Sequence, residues 1–175
     1  WQAQVRLKKV RKSASFATKT EAKDWATVEE YKIKTAPANP SDEGQGWVFK
    51  FYGQRASSRV SDQETVAVVT KAMELHEDGV QMKNMAIMST SHAQLNSIAQ
   101  QLGDDLKGVN LRTPYGISGE IWGHVIVSCA AQTAQDIDVR QLYTMIRAAR
   151  DKTYIVGTPS LFQNHPLLRE MQVVV

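Results

Sequence analysis

From residue 47 to the end of the chain, short apolar runs alternate with longer stretches of helical periodicity, and few folds accept a sequence written this way. Residues 47–52 read as a strand closed by Gly53, 85–88 as a second strand, 109–113 as a third, 124–129 as a fourth, and 153–156, stopped by Gly157, as a fifth. Between them, 62–78, 92–102 and 139–150 carry apolar residues at helical spacing, and 160–171 reads as a closing helix interrupted at Pro166. Ser61 with Glu64 three residues later marks one helix start, and Gly79 and Gly103 mark helix ends. The run from His124 to Cys129 is apolar without alternation, as a strand covered on both faces is. These signals predict an α/β fold, a mostly parallel sheet with helices on both faces.

The first 34 residues follow a different pattern. Trp1, Ala3, Val5 and Leu7 alternate with polar residues and predict a strand; the basic run Lys8-Lys9-Val10-Arg11-Lys12 falls at a turn, and 13–17 returns as a second strand. Thr18 and Glu21 form a capping box for a helix whose Ala22, Trp25, Ala26 and Glu29 share a face. The prediction is a small β-β-α appendage. Residues 35–46 hold two prolines, two glycines and no large apolar side chain, so they read as a linker between an arm (1–34) and a body (47–175).

Charge divides at the same place. Residues 1–34 hold nine Lys or Arg against four acids, a net +5 in a chain of net +3, which leaves −2 for the rest. A basic end on a weakly acidic body fits a phosphate-bearing partner. No run approaches the roughly 18 apolar residues of a membrane span, and no apolar leader is present, so a cytoplasmic protein with no membrane partner is expected. The single cysteine, Cys129, excludes an intrachain disulfide.

Two resemblances are carried by particular residues. Trp1-x-Ala3-x-Val5, the basic turn, then Ser15-Phe16-x-Thr18-Lys19-x-Glu21-Ala22-x-x-Trp25-Ala26, resembles the small N-terminal arm-binding domain of phage-type tyrosine integrases, which implies DNA contact through Arg6, Lys8, Lys9, Arg11 and Lys12. The integrase catalytic Arg, His-x-x-Arg and Tyr set is absent. From residue 47 onward the succession resembles the second RecA-like domain of superfamily 1 helicases, on the Upf1-like branch. Residues 85–94 resemble motif IV and keep Gln94; 111–128 resemble motif V and keep Thr113, Gly119 and Ser128; 142–157 resemble motif VI, and Leu161-Phe162-x-x-His165-Pro166 the exit helix. The resemblance implies that Gln94 and Thr113 touch a nucleic-acid backbone and that Gly119 and Glu120 line a nucleotide cleft. It also implies that the first motif VI arginine, whose position here is Ala148, reaches the γ-phosphate. Here that motif reads Arg147-Ala148-Ala149-Arg150, so only Arg150 is in register; Arg147 lies one residue early, about 100° around a helix.

No phosphate-binding loop occurs in the chain, and no strand ends in the paired acids of a magnesium site. No cofactor is expected for the chain by itself; ATP and magnesium enter only if another RecA-like domain completes the cleft, and Arg150 and Arg147 are catalytic only then. His76, His92, His124 and His165 lack the spacing of a helical metal pair, so no metal site is expected, and Asp104-Asp105 and Asp136-Ile137-Asp138 read as caps or loops. Ser89-Thr90-Ser91-His92 gives no triad geometry. Tyr115, Trp122 and Tyr143 are candidates for stacking on bases, against the alternative of core packing.

Three functions remain open. The first is a nucleic-acid-binding protein, with DNA or RNA as partner, whose degenerate helicase-like domain positions or regulates. The second is one motor domain of an active superfamily 1 helicase, paired with a protein partner that carries the ATP-binding domain. The third is a structural or protein-interaction module.

Overall fold

The computed structural model describes residues 1–7, 10–35, 48–51, 60–130 and 134–170. Two strands, β1 (Gln2–Leu7) and β2 (Val10–Ser15), form an antiparallel hairpin followed by helix α1 (Lys19–Thr35). The body then runs β3 (Val48–Phe51), α2 (Asp62–Glu77), β4 (Met85–Ser89), α3 (His92–Gln101), β5 (Asn110–Arg112), β6 (Trp122–Ser128), α4 (Val139–Arg147), β7 (Ala149–Gly157), α5 (Pro159–Asn164) and α6 (Pro166–Glu170). Its five strands lie in the order β3-β7-β6-β4-β5, and every neighbouring pair is parallel. The predicted α/β architecture is present, and the strand-strand-helix order of the first 35 residues with it.

The alternation of side chains along a strand sorts the core into two layers. Ala86 and Met88 of β4 with Val125 and Val127 of β6 face α1, α4, α5 and α6. Met85, Ile87 and Ile126 face α2 and α3. Strands β4 and β6 are therefore buried on both sides, which is why their sequences carry no polar alternation. Each fully buried Ile or Val there contributes roughly 1.5–3 kcal/mol relative to exposure.

Several sequence-based boundaries move. Strand β7 starts at Ala149 rather than at 153, because Ala149 pairs with Trp122 and, after a shift of register, Lys152 to Val156 pair with His124 to Ser128. Helix α4 therefore ends at Arg147, with Ala148 as its C-cap. Arg150 sits on a strand and not on the expected helix, whereas Arg147 is the last residue of α4 and Ala148, one step on, keeps a right-handed helical conformation. Helix α1 extends to Thr35, one residue into the expected linker; residues 36–46, Trp47 and Gly53 lie outside the described residues. Helix α1 also packs on α4 and α6, and its Val28 joins the body's first core layer.

Parallel strands give the sheet two unlike edges. The carboxyl edge holds Ser89, Arg112, Ser128 and Gly157; the amino edge holds Met85, Trp122 and Ala149. The candidate residues of the body divide between these two edges.

Candidate functional site

At the carboxyl edge, the capping box expected at Ser61 is only half made. Ser61 Oγ accepts from Glu64 N at 3.3 Å, as an N-cap should. The return bond to the Ser61 N–H comes instead from Gln94 Oε1, at 2.8 Å. Gln94 Nε2 lies 3.1 Å from both Thr65 Oγ1 and Ser128 Oγ, and 3.3 Å from the Ser61 carbonyl. Glu64, released from capping, accepts from Ser128 Oγ at 3.0 Å. Gln94 is wholly buried, so its amide offers nothing to a nucleic acid in this arrangement; it holds the starts of α2 and α3 against the end of β6. Burial raises the Glu64 pKa from 4.5 to about 7, against the Ser128 hydroxyl and the Cys129 backbone N–H, which favour the charged form.

Ser91, in the segment that resembles motif IV, and Thr113, in the one that resembles motif V, lie at the same edge. Ser91 caps α3 by accepting from Gln94 N, and its own N–H donates to Ser89 Oγ at 3.3 Å. Thr113 precedes a 3₁₀ turn (Pro114–Gly116) at the carboxyl end of β5 and is half-buried.

The amino edge holds the arginines. Arg150 is exposed and grips Asp151 with two 2.9 Å hydrogen bonds. Gly123 makes room for that pair, since a Cβ there would lie 2.9 Å from Asp151 Oδ2 and 3.4 Å from the Arg150 guanidinium. Ala148, where the motif VI resemblance expects the first arginine, is buried in the core beside α4. Arg147 is exposed, and its guanidinium rests 5.5 Å from the centre of the Tyr143 ring. Gly119 has φ +80°, a left-handed conformation that favours glycine, and Glu120 faces Arg112 at 3.5 Å. So the structure brings Arg147 and Arg150 to one edge, and leaves Gln94 and Thr113 at the other.

In the hairpin, Arg6 is the register partner of Arg11, and Val5 that of Lys12. Lys12 Nζ donates to Glu29 of α1 at 2.6 Å, so its charge is already answered by a buried carboxylate. Lys8 and Lys9 lie outside the described residues. The expected Thr18–Glu21 capping box is made in both directions, at 3.2 Å each.

Of the three aromatic candidates, Trp122 and Tyr143 are buried in the first core layer, which answers in favour of packing. Tyr115 is 83% exposed. Gln141 of α4 donates to its hydroxyl, and the two residues with Pro114, Asp138, Arg140 and Thr144 line a shallow groove of about 300 Å³. Burial alone would raise the Asp138 pKa, but hydrogen bonds from the Arg140 side chain and from the Arg140 and Gln141 amides hold it below the ordinary value. Behind it, Asp24 Oδ1 of α1 is buried without a hydrogen bond, and burial followed by the Asp138 charge raises its pKa.

The sequence marks Glu64 only as a helix cap, yet it falls in phase with the buried stripe Ala67, Val68, Ala72 and Leu75, and a carboxylate on that stripe is the signal of an internal acid. The Tyr115 to Gln141 contact has no comparable signature, since it joins residues 26 apart. Among the described residues, no group of three or more His, Cys, Asp or Glu side chains could hold a metal ion, and no helix is long and apolar enough to cross a membrane.

No protein-family model matches the chain, and no curated protein does. Among solved structures, the C-terminal domain of a possible DNA helicase from Lactobacillus plantarum WCFS1 superposes with a TM-score of 0.52 at 16% identity, covering 89% of this chain and 92% of that one. The two share a fold. At this identity the likeness is one of architecture, and it agrees with the RecA-like layer arrangement of the five parallel strands.

Proposed function

We propose that the chain is a nucleic-acid-binding, helicase-like RecA domain of the superfamily 1 type that positions or regulates and does not itself drive a motor. The observation that carries this reading is Ala148: the site at which the motif VI resemblance expects a phosphate-seeking arginine is occupied by a small side chain buried in the core, on a fold shared with a helicase domain. A cation at that site normally stabilises transition-state charge and is worth orders of magnitude in rate. With the neighbouring Arg147 set over Tyr143, ATP turnover has lost its strongest electrostatic contributor. The likeness to a possible DNA helicase domain supports a nucleic-acid partner, and the net +5 of residues 1–34 supports binding through the hairpin, with Arg6, Lys8, Lys9 and Arg11 on phosphates and residues 35–46 as the joint to the body.

Fluorescence anisotropy with single-stranded DNA, duplex DNA and RNA tests the reading. Salt-dependent binding is expected, and charge reversal at Arg6, Lys8, Lys9 and Arg11 should lower the logarithmic salt slope by about 0.9 for each duplex phosphate no longer neutralised. Unchanged affinity and slope in that variant would remove the arm from the reading, and no binding at low salt would remove the reading itself.

A second reading rests on Arg150, exposed at the amino edge and in register with the motif VI resemblance. A partner RecA-like domain carrying a phosphate loop, ATP and magnesium would complete the cleft there, with Arg150 and Gly119 on its far wall. ATPase activity that appears on adding such a partner and is lost in Arg150→Ala would favour this reading over the first.

A further inference from the structure

Glu64 is 3% exposed, and among the described residues no Lys, Arg or His donates to the cluster around it. Among the described residues, the side chains bonded in this cluster are neutral: Ser61 and Thr65 at the start of α2, Gln94 and Ser97 of α3, and Ser128 of β6, the one that reaches Glu64, with Ser89 of β4 in register beside Ser128. Its coupled titratable neighbour is the Cys129 thiol, which burial first and the Glu64 charge second push well above the ordinary value. The bonds have a direction. The Gln94 side-chain amide donates to Ser128, whose O–H then donates to Glu64, so amide and hydroxyl protons run inward and end on one carboxylate. When that carboxyl carries a proton, one oxygen becomes a donor and the other still accepts, so the bond from Ser128 is kept. The same side chains fasten two helix starts to one strand end, because Ser61 and Gln94 bridge α2 to α3 and Ser128 ties both to β6.

We propose that Glu64 and its hydroxyl and amide partners form a proton-operated latch, closed when the carboxyl is neutral and loosened when it ionises, that fixes the starts of α2 and α3 on the carboxyl end of β6. The cost of an unpaired buried charge drives the loosening: opening the cluster lets water reach an ionised Glu64, whereas a neutral one gains nothing by exposure. The pH direction follows from linkage. Glu64 titrates near 7 when closed and near 4.5 when open, so between those values the closed form holds one more proton and opening becomes easier as pH rises. The latch is tight at about pH 5 and loosest above about pH 7, where the effect levels off.

Native-state hydrogen exchange of the Thr65 and Leu95 amides, which bond back to the Ser61 and Ser91 carbonyls, reads the latch directly. After correction for intrinsic rates, their opening equilibrium should rise up to about tenfold per pH unit from 5 to 7 in the wild type. It should stay flat in Glu64→Gln, which keeps an acceptor for Ser128 and cannot ionise. Equal pH dependence in the two proteins would overturn the proposal. If the variant fails to fold, carbon-13 NMR of the wild-type Glu64 carboxyl decides: a midpoint near neutrality supports the latch, and ionisation complete below pH 5 overturns it.

Discussion

Gly157 ends β7 under α5, and the space over it is already taken. A Cβ at that position would lie 3.0 Å from Leu161 Cδ2 and 3.3 Å from Cys129 Cβ, with Phe162 at 3.7 Å behind. Leu161, Cys129 and Phe162 are all buried, so none can swing into solvent to make way. Gly157→Ala should therefore destabilise the protein by about 1–3 kcal/mol, read as a lower urea midpoint with unchanged slope. The sequence marks Gly157 only as the stop of a strand; its steric role depends on a helix packed over it, and packing has no local code. Gly123 is the contrast. The atoms nearest its would-be Cβ include the Asp151 and Arg150 side-chain ends, and these are exposed and able to move. Asp24 shows the same rule with charge, since Thr18, Glu21, Ala22 and Trp25 announce its helix but nothing announces that Asp138 stands opposite. Asp24→Asn removes a carboxylate disfavoured by burial and by Asp138, and a higher melting temperature at pH 7 is the expected result.

Elements with marked ends are readable in the sequence, and elements set by pairing are not. Helix α3 begins at His92 as expected, because Ser91 supplies its own cap. Helix α2 stops before Gly79, whose φ of +89° is the left-handed turn that glycine permits. Strand β7 starts four residues ahead of the sequence expectation, since its first residues are held by a ladder to Trp122 and His124 and not by their own apolarity. That shift moves Arg150 from a helix to a strand, so half of the candidate phosphate site depends on a pairing that residues 149–152 do not advertise. The break at Pro166 is legible, and the structure explains what fills it. His165 caps α5 with its backbone and is fully buried; Nε2 lies 3.1 Å from the Ile137 carbonyl, and Nδ1 accepts from Leu168 N. Only the neutral ring with its proton on Nε2 serves both contacts. Burial lowers its pKa below the ordinary 6.5, outweighing the Ile137 carbonyl and Asp138, so this joint is intact above about pH 6.5 and loses stability as pH falls below it. Its slope opposes that of Glu64. Thermal unfolding of His165→Gln between pH 7 and 5 should show less acid loss than the wild type, and an identical pH profile would exclude the histidine as the source.

At the scale of the whole molecule, the question is whether the basic hairpin and the α/β sheet behave as two bodies or one. Net charge argues for two, because +5 and −2 fall on either side of residue 34. Packing argues for one. Helix α1 covers the hairpin with Ala22, buried like Ala3 and Val5 of β1, and it meets α4 and α6 with Val28 in the sheet's own core layer. Lys12 to Glu29 adds a tie from β2 to the same helix. A phosphate-binding hairpin mounted in this way would transmit its position to the helices over β6 and β7 and not swing on a tether. Val28→Asp tests the coupling: placing a carboxylate in the layer of Leu142, Ile146 and Leu168 should cost several kcal/mol if it is buried unpaired, enough to lower the stability of the sheet along with that of the hairpin. Tryptophan fluorescence, which sees Trp1 and Trp25 in residues 1–34 and Trp47 and Trp122 in the rest of the chain, and far-ultraviolet circular dichroism should then report one coincident transition in the wild type, shifted as a whole in the variant. Two separated transitions, with only the earlier one moved by the substitution, would make the arm an independent domain and return the charge division to the leading place.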